Sequence, residues 1–170
     1  TITPKIYFFE IIGLHHGLFL YGETEHELSA ILSHELAHLS QRHFARRLDE
    51  SKKNSVISLA GFLASIILAA TASGDAAMAA ITSTQGLAQS KTLRYSRDRE
   101  AEADRVGIET LALAGMDPKA MALMFERLQR SSRYMGLNKV PEFLRTHPVT
   151  KSRIADSYNQ AMKYREEKPS

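Results

Sequence analysis

Cysteine is absent from this 170-residue chain, so it has no disulfide framework and no thiolate nucleophile. Any metal site must be built from His, Asp and Glu. Zero cysteine suits an oxidising and a reducing compartment equally. A strong charge of one sign is also lacking: Lys+Arg of 22 against Asp+Glu of 19 leaves +3, too mild and too dispersed for a nucleic-acid partner. No internal repeat and no low-complexity tract interrupts the sequence. With 44% apolar and 24% charged residues, disorder and collagen-like repetition are excluded. The length suits a single domain over 1–170 that buries roughly 68–70% of its unfolded surface. The opening Thr1-Ile2-Thr3-Pro4 holds neither an initiator Met nor a signal peptide, and reads as the start of a mature form or of a piece of a longer protein.

Histidine is what the chain has in excess. There are 7, and His15, His16, His26, His34, His38 and His43 all fall in one short stretch. Lys5–Tyr21, rich in Ile, Tyr, Phe and Leu, reads as one or two short strands. Thr24-Glu25-His26-Glu27 is a capping box, and the apolar rhythm of Leu28, Ile31, Leu32 and Leu39 predicts a long helix from about Glu25 to Glu50. From Asn54 to Ser90 the only charged residue is Asp75; Val56–Ala70, a turn at Thr71–Asp75 and Ala76–Leu87 read as a helical hairpin. A charged helix is expected from about Ser96 to Ala114 with Gly115 as its C-terminal cap. Asp117-Pro118 should cap a further helix to about Arg130, and His147-Pro148 should open a last one. The simplest architecture is α+β, mainly α, with a small sheet.

The chemistry is carried by His34-Glu35-Leu36-Ala37-His38. On a helix, positions i and i+4 lie about 40° apart, so both imidazoles can grip one metal ion beside the buried stripe. Glu35 lies on the same side, where its carboxylate can take a proton from water acidified by the metal. His26 points to solvent, His43 lies about 140° round the helix from His38, and His15 and His16 would face opposite sides of a strand.

A catalytic zinc normally takes three protein ligands and leaves the fourth place open. On the second charged helix, Glu100, Ala103, Asp104, Gly107, Leu111 and Ala114 fall within about 60° of one another, an inward stripe bearing two acids. A carboxylate there is costly unless paired or metal-bound, which favours Glu100 as third ligand over an idle surface acid, the alternative for Glu100 and Asp104 being an ion pair with an arginine on a neighbouring helix. Asp104, one turn on, is placed to accept the free ring N–H of a ligating histidine. Asp98, Glu102, Arg105 and Glu109 gather on the solvated side.

His34-Glu-Leu-Ala-His38, then Ser96-Arg-Asp-Arg-Glu100-Ala-Glu-Ala-Asp104, then Thr146-His147-Pro148 with Arg153-Ile154, resemble the zinc metallopeptidase family that contains HtpX, the type 1 CAAX prenyl protease and BepA. The resemblance runs from about Gly13 to Ala161. It implies a gluzincin-like domain with an active-site helix, a small β-sheet and a C-terminal helical part. It also implies zinc held by His34, His38 and Glu100 with Glu35 as general base. The Ser-Arg-x-x-E-x-E-A-D wording and the Gly115-Met-Asp-Pro118 turn look most like the soluble BepA-type branch. That branch implies a periplasmic bacterial endopeptidase in outer-membrane protein quality control, with unfolded or misassembled proteins as substrates and the outer-membrane assembly machinery as a partner. One departure stands out: the family usually carries Asn-Ala-(Phe/Tyr) and Gly-Gly just before the strand matching Ile12–Leu20, and here Glu10 runs straight into Ile11.

Three further expectations follow. The developing oxyanion wants a donor besides the metal, and His147 and Arg153 are the candidates; His147 could instead occupy the metal's open position, or merely cap the last helix. The strand near Ile11–Tyr21 would offer an edge to an extended substrate. Val56–Ala70 spans only about 22 Å against a bilayer core of about 30 Å. This leaves a core helix or an apolar flap touching a membrane or unfolded substrate as readings, ahead of a transmembrane helix. The rival to an active peptidase is a zinc-containing chaperone or adaptor that binds clients without cleaving them, for which an intact Glu35 would be needless.

Overall fold

The computed structural model describes residues 16–71, 74–135 and 142–166. They form a short 3-10 helix, His16–Leu20, and six α-helices: α1 Glu25–Ser40, α2 His43–Thr71, α3 Gly74–Leu113, α4 Ala120–Met135, α5 Glu142–Thr146 and α6 Lys151–Glu166. No strand occurs among the described residues, so the small sheet is not supported. His16–Leu20 takes a helical turn instead: a short apolar run carries no periodicity that separates strand from helix, and Leu18 closes the turn by accepting from Tyr21 and Gly22 N–H, both at 3.1 Å. The rest of the expected edge strand, with the departure at Glu10–Ile11, lies outside the described residues.

The helices fall into two compact units, 1–41 with 102–170, and 42–101. In the first, α4 packs on α1 and on α6. Its inward face repeats at helical spacing through Met121, Met124, Phe125 and Leu128, all fully buried with Ile31 and Ile108. Truncating a phenylalanine so placed costs about 3–5 kcal/mol. The start of α1 is fixed locally. Thr24 Oγ1 accepts from Glu27 N–H at 3.2 Å, and Glu27 Oε2 reaches back to Thr24 N–H at 3.3 Å and to Glu23 N–H at 2.7 Å. The end of α3 is equally local: Gly115 at φ +74° lets Met116 N–H reach Leu111 O at 2.9 Å and Gly115 N–H reach Ala112 O at 3.1 Å, the paired closure of a Schellman motif.

Three expected boundaries move. The helix expected to run to Glu50 ends at Ser40, because Arg42 adopts φ +53°; neither glycine nor proline marks that break in the sequence. The charged helix does not begin near Ser96 but continues the second arm of the hairpin, 40 residues from Gly74 to Leu113, since nothing between Leu87 and Ser96 stops it. The helix after Asp117 runs to Met135 rather than Arg130; its start is tied by Lys119 N–H donating to Asp117 Oδ1 at 2.9 Å.

The second unit is the hairpin of α2 with the first part of α3. The two arms run antiparallel, with Gly61 opposite Thr84 and Lys91 Nζ 3.7 Å from Glu50. Val56–Ala70 is not a core helix: Val56, Leu59, Phe62 and Ile67 are 55–68% exposed. α2 is the one described helix long and apolar enough to cross a membrane by length and composition.

Candidate metal centre

The motif His34-Glu-Leu-Ala-His38 occupies the middle of α1, so one helical turn carries both imidazoles to the same side. Their Nε2 atoms stand 3.1 Å apart, and His147 Nδ1 lies 3.3 Å from His34 Nε2. Glu100, on α3 one turn before Asp104, completes a group whose ligand-capable atoms all lie within 4.8 Å of one another. His34 is fully buried and Glu100 nearly so.

The protonation of His34 follows from its other ring nitrogen. Nδ1 stands 2.9 Å from Asp104 Oδ1, which fixes the N–H there and leaves Nε2 as a bare lone pair. Burial pushes the Asp104 carboxyl up. The hydrogen bonds from His34 and Arg153, with the guanidinium charge, outweigh it and hold Asp104 below the usual aspartate range. The His34 Nε2 lone pair faces two other ring nitrogens at 3.1 and 3.3 Å, a space that an N–H of either ring or a shared cation can fill. Four ligands on a tetrahedral ion at 2.0–2.1 Å are about 3.3–3.4 Å apart, so the His34–His38 and His34–His147 separations suit a shared metal ion, and the His/His/Glu chemistry of the set agrees.

Glu35, half-buried on the next position of α1, places Oε1 3.4 Å from His147 Nε2. The His147 ring is therefore bracketed, its Nδ1 towards His34 and its Nε2 towards the carboxylate. Phe143 stacks on its face at 4.9 Å and 26°, and His147 N–H closes on Phe143 O at 2.7 Å. That i, i+4 pair, Phe143 with His147, is a local signal the motif reading did not use. His147 does not cap the last helix. Thr150 does, its Oγ1 accepting from Arg153 N–H at 3.2 Å.

Arg153 turns its guanidinium to Asp104. Nε donates to Oδ2 and Nη2 to Oδ1, each at 2.7 Å, while Nη1 donates to Pro148 O at 2.8 Å. The group lies over the Phe125 ring at 4.6 Å and is buried with its partner. Of the remaining histidines, His26 Nδ1 accepts from Asp117 N–H at 3.2 Å, His43 is buried on α2, and His15 lies outside the described residues. α3 approaches α1 closely because position 107 is glycine: a Cβ there would stand 3.2 Å from His34 N and 2.9 Å from Met121 Cε.

A buried His-Glu-x-x-His helix, a distal glutamate and a carboxylate-anchored histidine define the metallopeptidase class. The comparisons give the family. The description "Peptidase family M48" matches residues 8–159. The chain is 41% identical over 164 residues to the putative beta-barrel assembly-enhancing protease of Vibrio cholerae serotype O1, covering 96% of this chain and 33% of that protein. It is 39% identical over 154 residues to the beta-barrel assembly-enhancing protease of Escherichia coli O157:H7, covering 91% and 31%. Metalloendopeptidase OMA1 of Bos taurus is more distant, 33% identical over 156 residues, covering 83% and 27%. This chain belongs to peptidase family M48. It spans about a third of the length of the first of these relatives.

Proposed function

We propose that the protein is a zinc-dependent endopeptidase that hydrolyses peptide bonds of unfolded or misassembled proteins in the bacterial periplasm, in the service of outer-membrane protein assembly. The observation that carries the chemistry is the convergence of His38 Nε2 and His147 Nδ1 on His34 Nε2, at 3.1 and 3.3 Å, beside Glu35. His34, His38 and Glu100 are the resident ligands in this reading. Zinc suits a His/His/Glu set with no thiolate. Held there, it supplies Lewis acidity that polarises a peptide carbonyl and acidifies water.

The chain's own residues do the rest. Glu35 takes the proton of the attacking water and returns it to the leaving amine. Asp104 keeps His34 in the tautomer that presents Nε2. Arg153, with Nε, Nη1 and Nη2 engaged by Asp104 and Pro148 O, is a positioning residue in this reading rather than an oxyanion donor. His147 supplies the fourth donor in the arrangement described, and its Nε2 engages the base. With a metal bound, His147 as a fourth donor would leave no place for water, and turnover would then require this ring to give way, freeing it to serve the oxyanion. The assembly role and location rest on the names of the bacterial relatives and on the motif wording.

Glu35 also separates this reading from a client-binding chaperone that holds its metal only for structure. Casein cleavage by the wild-type protein, abolished in Glu35→Gln with metal content unchanged, supports the peptidase. Equal cleavage by the two proteins overturns it.

A further inference from the structure

The hairpin of α2 and α3 shows a reversed distribution of side chains. Ser58, Gly61 and Ser65 share one side of α2; Ser65 is 2% exposed and Gly61 faces Thr84. Large apolar residues occupy the other side, where Leu63 is 53%, Leu59 60% and Ile67 64% exposed, and Phe62 on the flank is 55% exposed. Gly61 and Ser65 between the arms, with large apolar residues outside, is the packing used in lipid, the inverse of a pair folded in water.

The hydroxyls agree. Ser65 donates to Phe62 O at 2.6 Å, Thr71 to Ile67 O at 2.8 Å, Thr82 to Met78 O at 2.9 Å and Thr84 to Ala80 O at 2.8 Å. Each is satisfied within its own helix and asks nothing of water. The outward side of α3 is more polar than that of α2, carrying exposed Thr82, Ser83, Gln85 and Gln89 alongside exposed Met78 and Leu87. The hairpin is thus amphipathic as a pair.

Charge completes the pattern. Between Asn54 and Ser90 Asp75 stands alone, while 42–53 and 91–99 together hold nine Lys/Arg against three Asp/Glu. Because the arms are antiparallel, both basic stretches lie at the same end of the hairpin. Although α2 as a whole has the length, its most apolar run, Val56–Ala70, spans about 22 Å against a bilayer core of about 30 Å. Entry tip-first would also place Asp75 in hydrocarbon, where a carboxylate is costly. Lying in the interface avoids both costs.

We propose that this hairpin docks on the surface of an anionic phospholipid bilayer, with the open face of α2 at the boundary between headgroups and acyl chains and the basic residues of 42–53 and 91–99 on the headgroups. The inference is independent of the peptidase chemistry.

The chain contains no tryptophan, so Phe62→Trp provides a single reporter at an exposed position. Its emission should shift to the blue with vesicles of phosphatidylglycerol and phosphatidylcholine, and far less with phosphatidylcholine alone. The protein should float with the anionic vesicles, and added salt should release it. Leu63→Asp with Ile67→Asp, both at exposed positions, should weaken flotation at least tenfold, and Arg46→Glu or Arg47→Glu by about fivefold or more each. Failure to float with anionic vesicles overturns the proposal, as does equal binding by the Leu63→Asp/Ile67→Asp variant. A shift that follows protein concentration without lipid assigns the face to a second copy, one produced by casein alone assigns it to an unfolded chain, and either overturns the proposal.

Discussion

Asp104 and Arg153, 49 residues apart, meet in a buried two-pronged ion pair, Nε to Oδ2 and Nη2 to Oδ1, both at 2.7 Å. The same carboxylate receives His34 Nδ1 at 2.9 Å, and the same guanidinium holds the carbonyl of Pro148 at 2.8 Å. One ion pair thereby ties the helix bearing the metal-binding motif to the segment bearing His147.

Arg153→Ala leaves Asp104 buried without its countercharge, a change that costs about 3–5 kcal/mol. Arg153→Lys keeps the charge but loses the planar fork. Denaturant melts of the metal-free proteins should rank wild type above Lys above Ala. Asp104→Asn should weaken metal binding about 10–100-fold in a chelator competition. Unchanged metal affinity in Asp104→Asn would contradict the role given to the carboxylate.

Glu27 should make the start of α1 acid-sensitive. Burial pushes its carboxyl up, but Arg127 and the N–H groups of Glu23 and Thr24 outweigh that, and the carboxyl lies below the usual glutamate range. The folded state therefore binds this proton less readily than the unfolded state. Its contribution is complete above about pH 4.3 and is lost as pH falls through the depressed value. Glu27→Gln should cost about 1.5–3 kcal/mol at pH 7, with the gap closing as pH falls below about 4.3. Melts above and below that pH check it; a constant gap would refute the assignment.

His147→Ala removes the ring standing 3.3 Å from His34 Nε2 and 3.4 Å from Glu35 Oε1. If that ring closes the site, casein cleavage should rise severalfold while metal content holds. If it serves only as an oxyanion donor, cleavage should fall by about 10²-fold. Identical kinetics would remove it from the mechanism.

The site was legible in the sequence to the extent that helical spacing sets it. His34, Glu35 and His38 lie within one turn, and Glu100 and Asp104 are a turn apart on an inward stripe; both relations need only a periodicity of 3.6 residues. The capping box at Thr24 and Glu27 and the closure at Gly115 are equally local. What the sequence hid is tertiary. Nothing near Arg153 announces that Asp104 takes its guanidinium, so a donor to substrate was the natural expectation. The break at Arg42 has no glycine to mark it, and the unbroken run of α3 past Leu87 reflects the absence of any stop signal. At Val56–Ala70 composition cannot tell a buried face from an open one, and the exposures of Leu59 and Ile67 decide it.

The central claim is that His34, His38 and Glu100 hold one catalytic zinc beside Glu35. Metal analysis of purified protein, loaded with zinc and desalted, tests it most directly. The account predicts one zinc per chain in wild type and in Glu35→Gln, and its loss in His34→Ala, His38→Ala and Glu100→Ala while the fold is retained. A wild-type protein that binds no zinc, or zinc retained in full without His34, would contradict it.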